Sequence, residues 1–73
     1  MAETKVESEI PGKVFQIEAP VGTKVEEDDP IVIVESMKME IPIGAPCAGV
    51  VKEILVEEGD PLEEGDEVAV IEN

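Results

Sequence analysis

Residues Gly12–Ser36, GKVFQIEAPVGTKVEEDDPIVIVES, recur thirty-seven positions later as Gly49–Asn73, GVVKEILVEEGDPLEEGDEVAVIEN, without a gap. Eight of the 25 aligned pairs are identical: Gly12/Gly49, Val14/Val51, Ile17/Ile54, Gly22/Gly59, Glu26/Glu63, Glu27/Glu64, Asp29/Asp66 and Glu35/Glu72. Val25/Leu62, Ile31/Val68, Ile33/Val70 and Val34/Ile71 keep apolar character as well. Carried backwards, the frame lays Thr4–Pro11 on Ile41–Ala48. Two halves, 4–36 and 41–73, then tile the chain, and residues 37–40 join them. A repeat of this kind is one supersecondary unit used twice.

The unit is made of strands. Nineteen of the 21 Val, Ile and Leu residues are β-branched, a shape that suits a pleated surface better than a helix. Six glycines and six prolines interrupt the chain often enough to leave no window for a helix of ordinary length. Alternation and turn residues predict strands near 4–8, 13–18, 23–26 and 30–36, and again near 39–44, 50–56, 61–63 and 67–72. Neither half can bury its apolar face alone, so the expected fold is all-β: a sandwich or flattened barrel of the two halves with a quasi-two-fold axis, in one domain spanning 1–73. Under the repeat Ser36 maps to Asn73 and Glu40 to Glu3, which predicts that the chain ends meet at the counterpart of the junction, away from Lys38.

Composition excludes several kinds of function. Nineteen acids against five lysines give a net charge of −14, which opposes docking on a phosphate backbone, so nucleic acid is not an expected partner. The acids cluster at Glu26–Asp29, Glu57–Glu58 and Glu63–Glu67 among apolar residues, a pattern of solvated loops that could also steer basic partners. With no histidine and one cysteine, Cys47, the chain has neither the usual general base nor an internal disulfide, and no metal site is expected. Cys47, between Pro46 and Ala48, reads as a small buried or half-buried side chain. No aliphatic run exceeds the four residues Ile31–Val34, against roughly 20 for a membrane span, and the start MAETK lacks a signal peptide's apolar segment. These features predict a cytoplasmic protein. So small a core is also expected to leave no room for a catalytic cavity of ~300 Å³ or more.

The junction reads ESMKMEIP, Glu35–Pro42, and it misfits its own turn. Two-residue hairpins take positive φ at their central positions and favour Asn-Gly or Asp-Gly, yet no Gly, Asn or Asp occurs here. A local misfit is characteristic of functional positions. An exposed lysine amine is protonated at neutral pH and does not activate itself as a nucleophile. On a protruding turn it offers reach, which suits an attachment point that another enzyme acylates. No catalytic residue is assigned.

The stretch ESMKMEIP, together with the spacing of APCAGVVKEILVEEGDPLEEGDEVAVIEN, resembles the biotinyl domains that serve as biotin carboxyl carriers, over nearly the whole chain. The resemblance implies a barrel-sandwich hybrid of two four-stranded antiparallel sheets, with no inserted thumb between strands. It implies biotin in amide linkage to Lys38, with Glu35, Ser36, Met37, Met39 and Glu40 as the recognition motif. The implied partners are a biotin protein ligase, a biotin carboxylase and a carboxyltransferase that passes the carboxyl group to acetyl-CoA, a related acyl-CoA or a 2-oxo acid, as in fatty acid biosynthesis. The carrier itself would catalyse neither half-reaction. Met37 and Met39 would adapt to several partner pockets or simply cover the hairpin end. Rival readings are a lipoyl carrier, whose tips generally read DKA in place of MKM, the carrier of a biotin-dependent decarboxylase, and an acidic interaction module that bears no cargo.

Overall fold

The computed structural model describes residues 2–73. Eight strands form where the alternation places them: β1 (Glu3–Glu7), β2 (Gly12–Ile17), β3 (Lys24–Val25), β4 (Pro30–Ser36), β5 (Met39–Gly44), β6 (Gly49–Ile54), β7 (Pro61–Leu62) and β8 (Glu67–Glu72). They build two four-stranded sheets, ordered β1-β8-β6-β3 and β5-β4-β2-β7, with antiparallel pairing throughout. A shift of thirty-seven residues converts one order into the other. The body measures 36 × 17 × 17 Å, a cross-section that takes two sheets about 10 Å apart and no third layer. The flattened barrel with a quasi-two-fold axis is therefore the observed fold.

The halves do not pack side by side as two finished units. Each sheet holds two strands from each half: β1 and β3 with β6 and β8, β2 and β4 with β5 and β7. Neither half has a sheet of its own. The inner faces meet in one core of Val6, Val14, Val25, Ile31, Val32 and Val34 and their counterparts Ile43, Val51, Leu62, Val68, Ala69 and Ile71, all buried.

Symmetry extends to register and to exceptions. Thr4↔Ile71 and Val6↔Ala69 in one sheet match Ile41↔Val34 and Ile43↔Val32 in the other. A register shift at Val14/Gln16 of β2 recurs at Val51/Glu53 of β6, leaving Phe15 and Lys52 as the two bulged residues. Gly12 and Gly49 start these strands because a Cβ there would sit 2.5 Å from the Glu35 carbonyl oxygen and 2.6 Å from that of Glu72. The acidic clusters lie in loops, save that Glu67 opens β8, and three aspartates of these loops also have a structural task. Asp29, Asp60 and Asp66 accept the backbone N–H of Glu26, Glu57 and Glu63 at 2.9, 2.8 and 2.9 Å, closing three turns. The fourth equivalent turn begins at Pro20, which has no N–H to satisfy, and Thr23 stands where the aspartate would be.

The chain ends pair with each other. Ala2 N–H donates to the Asn73 carbonyl at 2.7 Å and Asn73 N–H returns to that of Ala2 at 2.9 Å, in the sheet that does not contain the β4–β5 hairpin. Glu3 and Glu72 are thereby set opposite each other, a like-charge pair that is unfavourable by itself. The Lys52 amine crosses from β6 to bond the Glu3 carboxylate and lies 3.9 Å from that of Glu72. The bond to Glu3, then the charges of Glu3 and Glu72, raise the Lys52 pKa above the ordinary lysine value of 10.5.

The halves differ at position 28. Gly65 adopts φ +91°, and its counterpart Asp28 adopts φ +74°, where an L side chain is strained. Asp28→Gly is expected to raise stability by about 0.5–1 kcal/mol in denaturant titration, the relief of strain being partly offset by glycine's greater unfolded-state entropy. A raised folded-state lysine pKa stabilises below the unfolded value and loses that effect as pH climbs through the folded value. The stability difference between the native chain and Lys52→Met should therefore hold constant through neutral pH and shrink above pH 10.5, as read from thermal melts across the alkaline range.

Candidate functional site

The link between the halves is shorter than the four residues 37–40. Ser36 pairs with Met39 and Glu35 with Glu40, so Met39 and Glu40 belong to β5 and only Met37 and Lys38 are free to turn. Both have positive φ, +52° and +65°. This is the type I′ geometry, whose twist matches that of the flanking strands and which ordinarily recruits Asn-Gly. The Met-Lys dipeptide thus accepts the turn its composition argues against, at about 1–2 kcal/mol per residue. Pairing of β4 with β5 along its whole length, from Pro30↔Gly44 to Ser36↔Met39, holds it there.

The consequence is display. Met37 is 92% exposed and Met39 60%, so Met37 covers nothing. Lys38, Glu35 and Glu40 are exposed and Ser36 is half-buried as the last residue of β4. Among the described residues the ion pairs are Lys5–Glu67, Lys52–Glu3 and Lys52–Glu72, and Lys38 enters none of them. Its amine is unengaged, on a two-residue tip. That arrangement fits a covalent group attached at Nζ: the bond needs an accessible amine, and no side chain has to move to free it.

The small core was expected to leave no room for a catalytic cavity of ~300 Å³, and the space that is present lies on the surface. A groove of about 630 Å³ runs between the outer edges of β1 and β5, with Lys5, Glu7 and Glu9 on one wall and Ile41, Pro42 and Pro46 on the other. It is not hollowed from the core; it is the gap left where two symmetry-related edge strands face each other without pairing. Ser8, the buried polar residue at its floor, spends its hydroxyl on the Ile10 carbonyl at 2.5 Å. Lys38 is not among the residues lining it. Cys47, half-buried against the core, takes the place of Ile10 in the second half and receives the Asn73 amide at 3.5 Å.

One neighbour of the tip escaped the sequence reading. Phe15, the sole aromatic residue, lies at the β2 bulge between the residues that face Val34 and Ile33, two residues along β2 from Lys13, which faces Glu35, and is 43% exposed. The signal was present in the repeat, since an apolar ring there aligns with charged Lys52.

Comparison with known proteins places this geometry in context. The family model described as "Biotin-requiring enzyme" matches residues 4–71. The biotinylated protein TB7.3 homolog of Mycobacterium leprae is 42% identical over 71 residues, covering 97% of this chain and 99% of that protein. The dihydrolipoyllysine-residue acetyltransferase component of the Pseudomonas aeruginosa pyruvate dehydrogenase complex is 43% identical over 61 residues, 84% of this chain and 11% of that one. The crystal structure of Kluyveromyces lactis urea carboxylase superposes with a TM-score of 0.93 at 40% identity, over 99% of this chain and 6% of that one. The chain likewise spans only 6% of the length of Bacillus subtilis pyruvate carboxylase.

Because strain at the tip is local, it can be removed without touching the core. The double substitution Met37→Asn, Lys38→Gly is expected to raise stability by about 1–3 kcal/mol in denaturant titration, with an unchanged dependence on denaturant concentration. An unchanged or lowered midpoint would mean that the positive φ values carry no strain.

Proposed function

The chain belongs to the family of biotin-requiring enzymes, whose model it matches from residue 4 to 71, and from that premise we propose that it is the biotin carrier of a biotin-dependent carboxylase, with biotin in amide linkage to Lys38. The observation that carries the proposal is the strained Met37–Lys38 turn, which holds an unpaired amine in water at the junction of the repeat. In this reading Glu35, Ser36, Met37, Met39 and Glu40 form the surface that a biotin protein ligase recognises. The ligase supplies an acyl adenylate, the deprotonated Lys38 amine attacks its carbonyl, AMP leaves, and the amide removes one positive charge from the tip.

Once attached, biotin supplies a ring nitrogen that accepts and releases a carboxyl group. The chain's own contribution is mechanical. A paired hairpin fixes the root of the arm, the lysine stem gives it reach, and the exposed, unpocketed tip lets a biotin carboxylase and a carboxyltransferase bind it in turn. Tethering raises the effective concentration of the cargo at both sites. The acceptor is an acyl-CoA, such as acetyl-CoA, or a 2-oxo acid. A decarboxylase would use the same carrier in reverse. In this reading the carrier works in the cytoplasm.

A lipoyl carrier is the second reading, favoured by the 43% identity to a dihydrolipoyllysine-residue acetyltransferase component. Against it stands the tip itself, Met-Lys-Met where lipoyl tips generally read Asp-Lys-Ala.

Intact-mass analysis after incubation with a biotin protein ligase, biotin and ATP, beside a lipoate ligase with lipoate and ATP, separates the two. The expected result is one biotinyl adduct on the native chain, none on Lys38→Arg, and little lipoylation. Lipoylation without biotinylation would transfer the proposal to the second reading. Absence of both adducts would remove it.

A further inference from the structure

The repeat places a control beside the tip. In the sheet that joins the chain ends, the opposed carboxylates Glu3 and Glu72 are bridged by Lys52 from the β6 bulge. The counterparts in the other sheet are Glu40 and Glu35, opposed in register at the neck of the β4–β5 hairpin, and the counterpart of Lys52 is Phe15 at the β2 bulge. The like-charge pair is repeated but its cation is not. Among the described residues neither Glu35 nor Glu40 forms an ion pair, and Lys13, which stands opposite Glu35 in register, makes none with it. At the position equivalent to Lys52 stands an aromatic ring, 43% exposed.

We infer that Phe15, Glu35 and Glu40 form a docking site for an arginine of the enzyme that attaches the group to Lys38. The partner's guanidinium occupies the place that the Lys52 amine holds in the other half. A planar cation suits all three groups, since its face stacks on an aromatic ring while its N–H fork reaches carboxylates. Charge complementarity identifies the occupant: the chain carries a net charge of −14, and the site adds two unneutralised carboxylates beside its one aromatic ring. A cation supplied by the partner removes the Glu35–Glu40 repulsion only while the partner is bound, and so couples recognition to the tip two residues away. The inference rests on the carrier reading for the identity of that partner.

Phe15→Lys tests it by giving this half the internal cation that the other half already has. Steady-state labelling by a biotin protein ligase is measured on the native chain, Phe15→Lys, Phe15→Leu and Glu40→Gln, at low and high salt, with thermal melts of each. Phe15→Lys is expected to melt at or above the native temperature and to lose about tenfold in kcat/KM at low salt, chiefly through KM. Its salt dependence should be flatter, and Phe15→Leu should lose about threefold. A folded Phe15→Lys chain labelled with native kcat/KM overturns the docking site while leaving the carrier reading intact. A native chain that is not labelled at all overturns both. Should Phe15→Lys fail to fold, a native kcat/KM for both Phe15→Leu and Glu40→Gln overturns the site instead.

Discussion

Interleaving of the two halves is the constraint from which the rest follows. Each sheet draws two strands from each half, so β4 and β5, which belong to different halves, must run as neighbours in one sheet. Their pairing is complete to Ser36↔Met39, and it leaves two residues to reverse the chain. Two residues can do so with the right strand twist only at positive φ. The tip is therefore sharp and solvent-facing whatever residues occupy it. Methionine and lysine at such a place run against turn propensity, and the proposed attachment at Lys38 would account for them.

The strain is tolerable because it is confined and because the core is shared. Burial of Val32, Val34, Ile43 and their counterparts Ala69, Ile71 and Val6 ties both halves into one cooperative unit. A cost of a few kcal/mol at the tip is offset by contacts that cannot form unless the turn is made. The same architecture sets the ends of the chain together at the pseudo-equivalent place, where Ala2 and Asn73 exchange two hydrogen bonds. One symmetric scaffold thus presents a two-residue hairpin at one place and paired chain ends at its pseudo-equivalent. Among the asymmetries between the halves, Phe15 for Lys52, Asp28 for Gly65 and Ile10 for Cys47 can be examined one at a time.

Much of this was legible in the sequence because the repeat is gapless. Matching Gly12 to Gly49 and Glu35 to Glu72 located all eight strands to within two residues and predicted the meeting of the termini. The interleaving was not legible, since periodicity reports which face of a strand is buried and nothing of which strand lies beside it. The positive φ values at Met37 and Lys38 could be suspected only as a conflict with turn propensity. Asp29, Asp60 and Asp66 read as charge because their hydrogen bonds to the backbone depend on a local geometry that composition does not record. The groove between β1 and β5 lies outside the core, so an argument from core size could not anticipate it.

Peptide mapping by mass spectrometry of the protein purified from its own cells tests the central claim most directly, because it reports what the cell attaches to the tip. The account predicts a biotinyl group on the peptide containing Lys38 and unmodified amines at Lys5, Lys13, Lys24 and Lys52. A bare Lys38, a lipoyl group in its place, or a biotinyl group on another lysine would contradict it.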